Sequence, residues 1–159
     1  DGDNDNDNNA DGYYLLISSN PINYWDDSEN DTGNHAGWFF DLPDSGERII
    51  RDPAIRAGLV VAIGTVPAQE PCSAGGSSTL YQLNACSGGS SGREWFHDGD
   101  SPVLLDGVPP SGKKYDTMIY EPVDIKDRLY MPNEEADLIQ EKIPAITGGE
   151  FYWHEINLR

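Results

Sequence analysis

Short apolar runs, many of them closed by a proline or a glycine, constrain the fold of this 159-residue chain more than any other feature. The strongest run is Gly58–Val66, which is rich in Val, Leu and Ile and is followed by Pro67. Thr79–Asn84 alternates apolar and polar residues, as a strand with one buried face does. Strand-like composition recurs at Tyr13–Ile17, Gly37–Leu42, Glu47–Ile50, Pro102–Leu105, Thr117–Pro122, Arg128–Met131 and Glu150–Leu158. The chain is therefore predicted to be mainly β.

One segment has the features of a helix instead. Asn133 is a favourable N-cap, acidic residues fill the first turn, and Pro144 lies just beyond the last turn. Ala136, Ile139 and Ile143 would then share one face of the helix. We therefore expect one short helix near residues 133–143.

Regularly spaced short strands with Gly- and Pro-rich turns are typical of β-sandwiches, barrels and propellers. A doubly wound α/β fold needs several helical crossovers, and the sequence offers none. No clean internal repeat is visible. The strand pattern by itself leaves the three all-β architectures open.

The charge balance excludes several classes of partner. The chain has 28 acidic and 10 basic residues, which gives a formal net charge of −18. Nucleic acid and anionic lipid both require a basic face, so we expect neither as a partner. The longest apolar runs are also too short to insert across a membrane. An acidic surface instead suits divalent cations and cationic partners.

The amino-terminal segment, DGDNDNDNNAD, has the ligand spacing of a calcium loop. Calcium takes about six to eight oxygen ligands, and a flexible loop of alternating acids can supply several of them. A loop that starts at Asp3 has the ligand set Asp3, Asp5, Asp7, the backbone carbonyl of Asn9, and Asp11. The Glu that usually closes such a loop is absent, because Tyr14 stands at that position. Ca²⁺ is therefore the expected cofactor.

A solvated acidic tail is the alternative interpretation of this segment, because clustered carboxylates repel one another without a metal. The strand predicted from Tyr13 follows at once, and a metal loop would be anchored there. We accordingly divide the chain into a calcium-loop candidate, residues 1–12, and a β segment, residues 13–159. A second acidic cluster, residues 26–31, lacks the alternation and is better interpreted as a surface loop.

The two cysteines, Cys72 and Cys86, are predicted to form a disulfide. The bond would close a loop of about 15 residues, a size that contributes about 3 kcal/mol. A zinc site is not expected because no histidine lies nearby. Two separate buried thiols are the alternative, but the acidic, Asn- and Gly-rich composition favours an extracytoplasmic protein.

Catalytic chemistry has little support in the sequence. His35, His97 and His154 fall in different segments, and Ser73 lacks the flanking glycines of a nucleophile elbow. Paired carboxylates are frequent only because acids are frequent. We expect no enzymatic activity.

The aromatic run Trp38, Phe39 and Phe40 lies in a predicted strand, where side chains alternate between two faces. The three rings cannot all share one face, so at least one is expected to meet solvent or a partner. The other rings are interpreted as core residues, with a sugar or cell-surface contact as the alternative.

Several motifs between residues 37 and 89 resemble one known family. They are GWFFDLPDSGER at 37–48, Asp52-Pro53, the Gly58–Val66 strand, PCSAGG at 71–76 and LYQL at 80–83. In this order and rough spacing they are similar to the C-terminal region of the PilY-type type IV pilus tip-associated adhesins. The final FYWHE, residues 151–155, is more loosely similar to the strand that closes those proteins.

The resemblance implies an extracellular, pilus-associated protein of the bacterial cell surface. Members of the family function in pilus biogenesis, twitching motility and cell adhesion, and their modified β-propeller carries a calcium loop. A blade needs about 40 to 45 residues, so this chain would supply part of a β-propeller, about three blades or fewer. The remainder of the same adhesin, or pilin-like fibre subunits, would complete it. A host or surface receptor is a further expected partner.

The resulting expectation is a calcium-binding, non-enzymatic component of a type IV pilus. A structural subunit of an extracellular fibre with no adhesive role is the alternative, and a degraded quinoprotein-type domain is a third possibility. Because an incomplete propeller exposes apolar faces, we expect Val60, Ile63 and Leu80 to contribute to a partner interface. The acidic amino-terminal part should stay outside that interface.

Overall fold

The structure is a computed structural model that describes residues 14–17, 22, 35–68, 75–98, 101–120, 123–125 and 128–142. This part of the chain contains strands and no helix, which confirms the predicted mainly β class. In chain order the strands are β1 (Tyr14–Leu15), β2 (Arg48–Ile49), β3 (Ala54–Arg56), β4 (Leu59–Pro67), β5 (Gly76–Asn84), β6 (His97–Asp98), β7 (Ser101–Pro102), β8 (Gly112–Tyr115), β9 (Val123–Ile125), β10 (Arg128–Pro132) and β11 (Leu138–Lys142).

The main sheet is antiparallel and has the strand order β1-β8-β5-β4, with β2 and β3 both pairing with β4. Its centre is the long β4–β5 hairpin, in register from Leu59 opposite Asn84 to Pro67 opposite Gly76. The turn from β3 into β4 places Ala57 and Gly58 at φ values of 49° and 80°. Over the described residues the sheet is open, with β1 at one edge and β2 and β3 at the other.

A smaller antiparallel sheet, β11-β10-β9, packs on one face of the main sheet. The core between them joins Leu59 and Ile63 of β4 and Leu80 of β5 to Leu129 and Met131 of β10. Trp95 and Phe96, which immediately precede β6, complete this core and are almost fully buried. The central strands are apolar because they are covered on this side by a second sheet.

The opposite face of the main sheet is covered by the segment that precedes β2. Ala62, Tyr81 and Leu83 are buried there, beneath Trp38 and Phe40. Residues 37–42 pair with no described strand, so the strand predicted over Gly37–Leu42 is wrong. The alternation predicted for its aromatic run is confirmed, because Phe39 is 89% exposed between two packed rings.

The helix predicted near residues 133–143 is wrong. Leu138–Lys142 is strand β11, paired residue by residue with β10. The Asn133 side chain accepts hydrogen bonds from the backbone N–H groups of Glu135 (3.1 Å) and Asp137 (2.8 Å). Asn133 thus stabilises a hairpin turn rather than a helix start, and Ala136 in that turn has a φ of 66°. Long-range pairing with β10 outweighs the local helical pattern.

The interface expected from Val60, Ile63 and Leu80 is also corrected. Ile63 is 6% and Leu80 0% exposed, because the smaller sheet of this same chain covers their face. Val60 is half-buried. Strands β3, β6, β8 and β9 have no counterpart among the predicted segments, and the predicted strand Glu150–Leu158 lies outside the described residues.

Candidate functional site

The predicted calcium ligands, Asp3, Asp5, Asp7, Asn9 and Asp11, lie outside the described residues. The structure does place the next part of the chain, because β1 begins at Tyr14, three residues after Asp11. Strand β1 pairs with β8, with Tyr14 opposite Lys113 and Leu15 opposite Gly112. Any ligand held by the loop would therefore lie close in sequence to a strand of the main sheet.

Ser111 strengthens the attachment of this amino-terminal strand. Its backbone N–H donates to the Leu15 carbonyl (2.7 Å), and its carbonyl accepts from the Gln82 N–H (2.8 Å). The Ser111 hydroxyl also accepts a hydrogen bond from the Ile17 N–H at 3.1 Å. Ser111 is completely buried, so the segment after the acidic loop is connected directly to β5 in the centre of the sheet.

The length of strand β5, which lies between the two cysteines in the sequence, constrains the predicted disulfide. Cys86 is exposed in the turn after β5, whereas Cys72 lies outside the described residues, four positions before β5. Nine strand residues span roughly 26 Å. The four Cα–Cα steps from Cys72 to Gly76 and the two from Asn84 to Cys86 together span at most about 21 Å. The two Cα atoms can therefore come within the roughly 7 Å that a disulfide needs only if both connections run towards each other along the strand, almost fully extended. The bond stays a prediction, to be checked by peptide mapping without reduction.

The most conspicuous polar feature in the described structure is a buried cluster, the inter-sheet cluster, formed by Tyr14, Lys113, Tyr115 and Glu141. The Lys113 Nζ donates to Glu141 Oε1 at 2.7 Å, and the Tyr115 hydroxyl donates to the same oxygen at 2.6 Å. The ammonium also lies 5.5 Å from the Tyr14 ring centre and 5.2 Å from that of Tyr115. Glu141 belongs to β11, so the cluster joins the two sheets.

Burial and charge perturb the titration of this cluster. Burial and the Glu141 carboxylate raise the pKa of the Tyr115 hydroxyl well above its usual value. Burial lowers the pKa of Lys113, but the adjacent Glu141 outweighs that effect, so the pKa is raised overall. The pKa of Tyr14 is raised, mainly by burial. Lys113 and the two tyrosines therefore keep their protons, as is expected of side chains that hold two sheets together by hydrogen bonds and an ion pair.

A second polar link involves the GWFFDLPDSGER segment. Glu47 Oε1 accepts a hydrogen bond from the Tyr81 hydroxyl at 2.7 Å, and its other oxygen accepts from the Asp44 N–H at 3.3 Å. Burial and this carboxylate raise the pKa of Tyr81 far above its usual value. Gly64 leaves room for the contact, since a Cβ there would overlap Glu47. These residues fasten the 37–48 segment to the main sheet.

Trp38 of the same segment packs against a glycine turn. Its indole N–H donates to the Ala85 carbonyl at 2.9 Å, and its ring covers Gly88, where φ is 74°. A Cβ at Gly88 would approach the ring to 2.5 Å. The motif GWFFDLPDSGER also contacts the strand that contains LYQL, through Phe40 and Glu47 on Tyr81. Both motifs therefore have packing roles.

A groove of about 710 Å³ opens where the edge of the main sheet is interrupted. Strand β2 pairs with Gly64 and Thr65, whereas β3 pairs with residues 59–61, so residues 50–53 leave the ladder between them. Pro53 lies at this interruption and cannot donate a backbone hydrogen bond. The guanidinium of Arg51 lies 5.3 Å from the Tyr120 ring centre on the groove wall.

The structure places two of the three histidines that the sequence offers as catalytic candidates. His35 and His97 belong to separate segments, while His154 and Ser73 lie outside the described residues. The described residues also contain no cluster of three or more His, Cys, Asp or Glu side chains suited to a metal ion. Among the described residues, His97 Nδ1 is a buried nitrogen without a hydrogen-bond partner.

Sequence reasoning missed both the inter-sheet cluster and the groove. Lys113 and Glu141 are ordinary charged residues in short strands, and only the long-range packing of β8 against β11 brings them together. Arg51 and Tyr120 are 69 positions apart and meet for the same reason. The sequence feature that could have predicted the groove is Asp52-Pro53, because a proline indicates a break in an edge strand.

Comparison of the chain with protein-family models, curated proteins and solved structures finds no match. The described residues include no helix that could cross a membrane.

Proposed function

We propose that the chain is a calcium-binding, non-enzymatic, extracellular component of a type IV pilus, with a role in tip-associated adhesion or assembly. The observation that carries the proposal is the alternating acidic loop, which ends three residues before β1. Without a cation, the carboxylates of Asp3, Asp5, Asp7 and Asp11 repel one another in a loop held at one end by the sheet. Calcium removes that repulsion and orders the loop.

The family motifs support the pilus-associated part of the proposal. GWFFDLPDSGER contributes Trp38, Phe40 and Glu47 to the covered face of the β4–β5 hairpin. The segment therefore packs on the main sheet through its aromatic and Glu side chains.

A partial propeller is the architecture we propose. Strands β3, β4, β5 and β8 are hydrogen-bonded neighbours in chain order, as in a four-stranded blade, and the β9–β11 sheet packs on their face as a second blade would. The remainder of the adhesin, or pilin-like subunits, would extend the assembly from the open edges, with a host or surface receptor as the adhesive target.

Isothermal titration with Ca²⁺ on the 159-residue chain tests the calcium site. In Asp5→Ala/Asp7→Ala, the loss of two carboxylates should weaken binding at least about a hundredfold, since hard-cation affinity depends strongly on ligand charge. Asp26→Ala/Asp27→Ala removes the same charge from the second acidic cluster and should bind like the parent. Equal affinity in all three proteins would refute a site in the amino-terminal loop.

A structural fibre subunit without adhesive function is the second candidate. The exposed Phe39 and the interrupted sheet edge favour it, because both suit contacts between subunits. Pilus-dependent surface attachment in cells that carry Asp5→Ala/Asp7→Ala separates the two functions. Loss of attachment with intact pili supports the adhesive role, whereas normal attachment supports the structural one.

A further inference from the structure

Phe39 and Asp41 form an exposed pair on the outer side of the segment that covers the main sheet. Trp38, Phe40 and Leu42 point inward and pack on Tyr81 and its neighbours. The alternate residues Phe39 and Asp41 are consequently exposed, with Phe39 89% accessible to solvent. An aromatic ring and a carboxylate thus lie side by side at the surface, two positions apart.

The groove at the interrupted edge has complementary chemistry. Its wall carries Ile50, which is 62% exposed, and Tyr120, which is 40% exposed. Arg51 lies over the Tyr120 ring, which positions the guanidinium beside the apolar surface. Asp52 lines the groove as well, so an incoming carboxylate is favoured only on the Arg51 side.

The exposed pair and the groove are two separate surfaces built from different residues. The Phe39 segment covers the face of Ala62 and Tyr81, whereas the groove lies at the interrupted edge, beside Val61, Ala62 and Ile63 of β4. Neither Phe39 nor Asp41 lines the groove of its own chain. Two different patches that fit each other produce open head-to-tail association when the same two molecules do not form both junctions at once.

We propose that Phe39 of one copy of this chain inserts into the groove of a second copy, with Asp41 paired to Arg51 there. A junction built on one ring and one ion pair is small, so association is weak and depends on concentration. Because each assembly keeps one unused groove at one end and one unused Phe39 at the other, it can grow. This self-association goes beyond the proposed calcium function and does not require it.

Sedimentation of the full 159-residue chain over a concentration series tests the interface. The parent should show a weight-average mass that keeps rising with concentration. Phe39→Ala should weaken association at least about tenfold, because the aromatic anchor supplies most of the apolar contact. Leu104→Ala removes a different exposed apolar residue, outside both surfaces, and should associate like the parent. A parent that stays monomeric throughout would overturn the proposal.

A charge exchange gives the sharper test. Asp41→Arg alone and Arg51→Asp alone should each stay monomeric, because each places like charges across the junction. An equimolar mixture should associate within a few-fold of the parent, since junctions between the two variants again join opposite charges. Association of either variant alone, or no recovery on mixing, would overturn the head-to-tail arrangement.

The same measurements in calcium and in chelator separate this interface from the calcium site. Self-association in both buffers by a chain that binds no calcium would support the interface and refute the calcium proposal. Calcium binding by a chain that never associates would support the calcium proposal and refute the interface.

Discussion

At the scale of single residues, the described structure depends on a few places where a side chain must be absent or must face a particular partner. Gly64 is one of them, because the Glu47 carboxylate and the Tyr81 ring occupy the space above its Cα. Glu47 is held there by the Tyr81 hydroxyl. The glycine in an otherwise apolar strand is thus explained by a side-chain contact on the sheet face.

Gly64→Ala is expected to lower the free energy of unfolding by about 1 to 3 kcal/mol, since the new methyl group must displace Glu47 or distort the strand. Gly37→Ala is the matched control, because a Cβ at Gly37 meets no atom within 4 Å. Urea denaturation measures both. In a Glu47→Ala background the cost of Gly64→Ala should shrink, and an unchanged cost would contradict the assigned clash.

At the scale of elements, the sequence predicted the strands whose apolar pattern is local and strong. Leu59–Pro67 and Gly76–Asn84 were recognisable because both contain long runs of β-branched or alternating residues. Gly112–Tyr115 was not, since its inward residues are Lys113 and Tyr115, whose burial depends on Glu141 from β11. Leu138–Lys142 was likewise predicted as part of a helix, because its pairing with β10 cannot be inferred from the local sequence.

The hairpin turn before β11 and the helix expected from the sequence predict opposite effects of Ala136→Gly on the free energy of unfolding. Ala136 has a φ of 66°, which an L-residue adopts at a cost and glycine adopts freely. Ala136→Gly should therefore raise the free energy of unfolding by about 0.5 to 1 kcal/mol. A helix interior would instead lose about 1 kcal/mol.

Ala54→Gly, in the exposed edge strand β3, provides the comparison for this prediction. It should lower stability by roughly 0.5 to 1 kcal/mol, because glycine loses more backbone freedom than alanine on entering a strand. Urea midpoints of the two variants, measured against the parent, decide the question. A lower midpoint for Ala136→Gly would argue for the helix over the hairpin.

At the scale of the whole molecule, two apolar cores hold three layers together, and the inter-sheet cluster adds a polar tie between the two sheets. The sequence predicted the β class and the exposed aromatic residue, but not which layers meet. The candidate groove also emerges only at this scale, from β2, β3 and the segment around Tyr120. The calcium loop remains a prediction from sequence, joined to this architecture through β1.

The inter-sheet cluster predicts that stability falls at alkaline pH. Lys113 and Tyr115 have pKa values raised above their ordinary values of 10.5 and 10.0, so the folded state holds these protons more tightly than the unfolded state. Their contribution is complete below about pH 10 and is lost as the pH rises through the folded-state values. Urea midpoints of the parent measured from pH 8 to about 11.5 should therefore decline at the alkaline end.

Paired variants assign this decline to the cluster rather than to the other tyrosines. Lys113→Met/Glu141→Met replaces both members of the buried ion pair, which avoids leaving one charge unpaired, and its midpoint should fall less steeply with pH. Lys114→Met removes the neighbouring lysine, whose ion pair with Asp44 is partly exposed, and should keep the alkaline slope of the parent. The same slope in the parent and the double variant would show that other groups, and not the Lys113–Glu141 tie, govern the alkaline loss of stability.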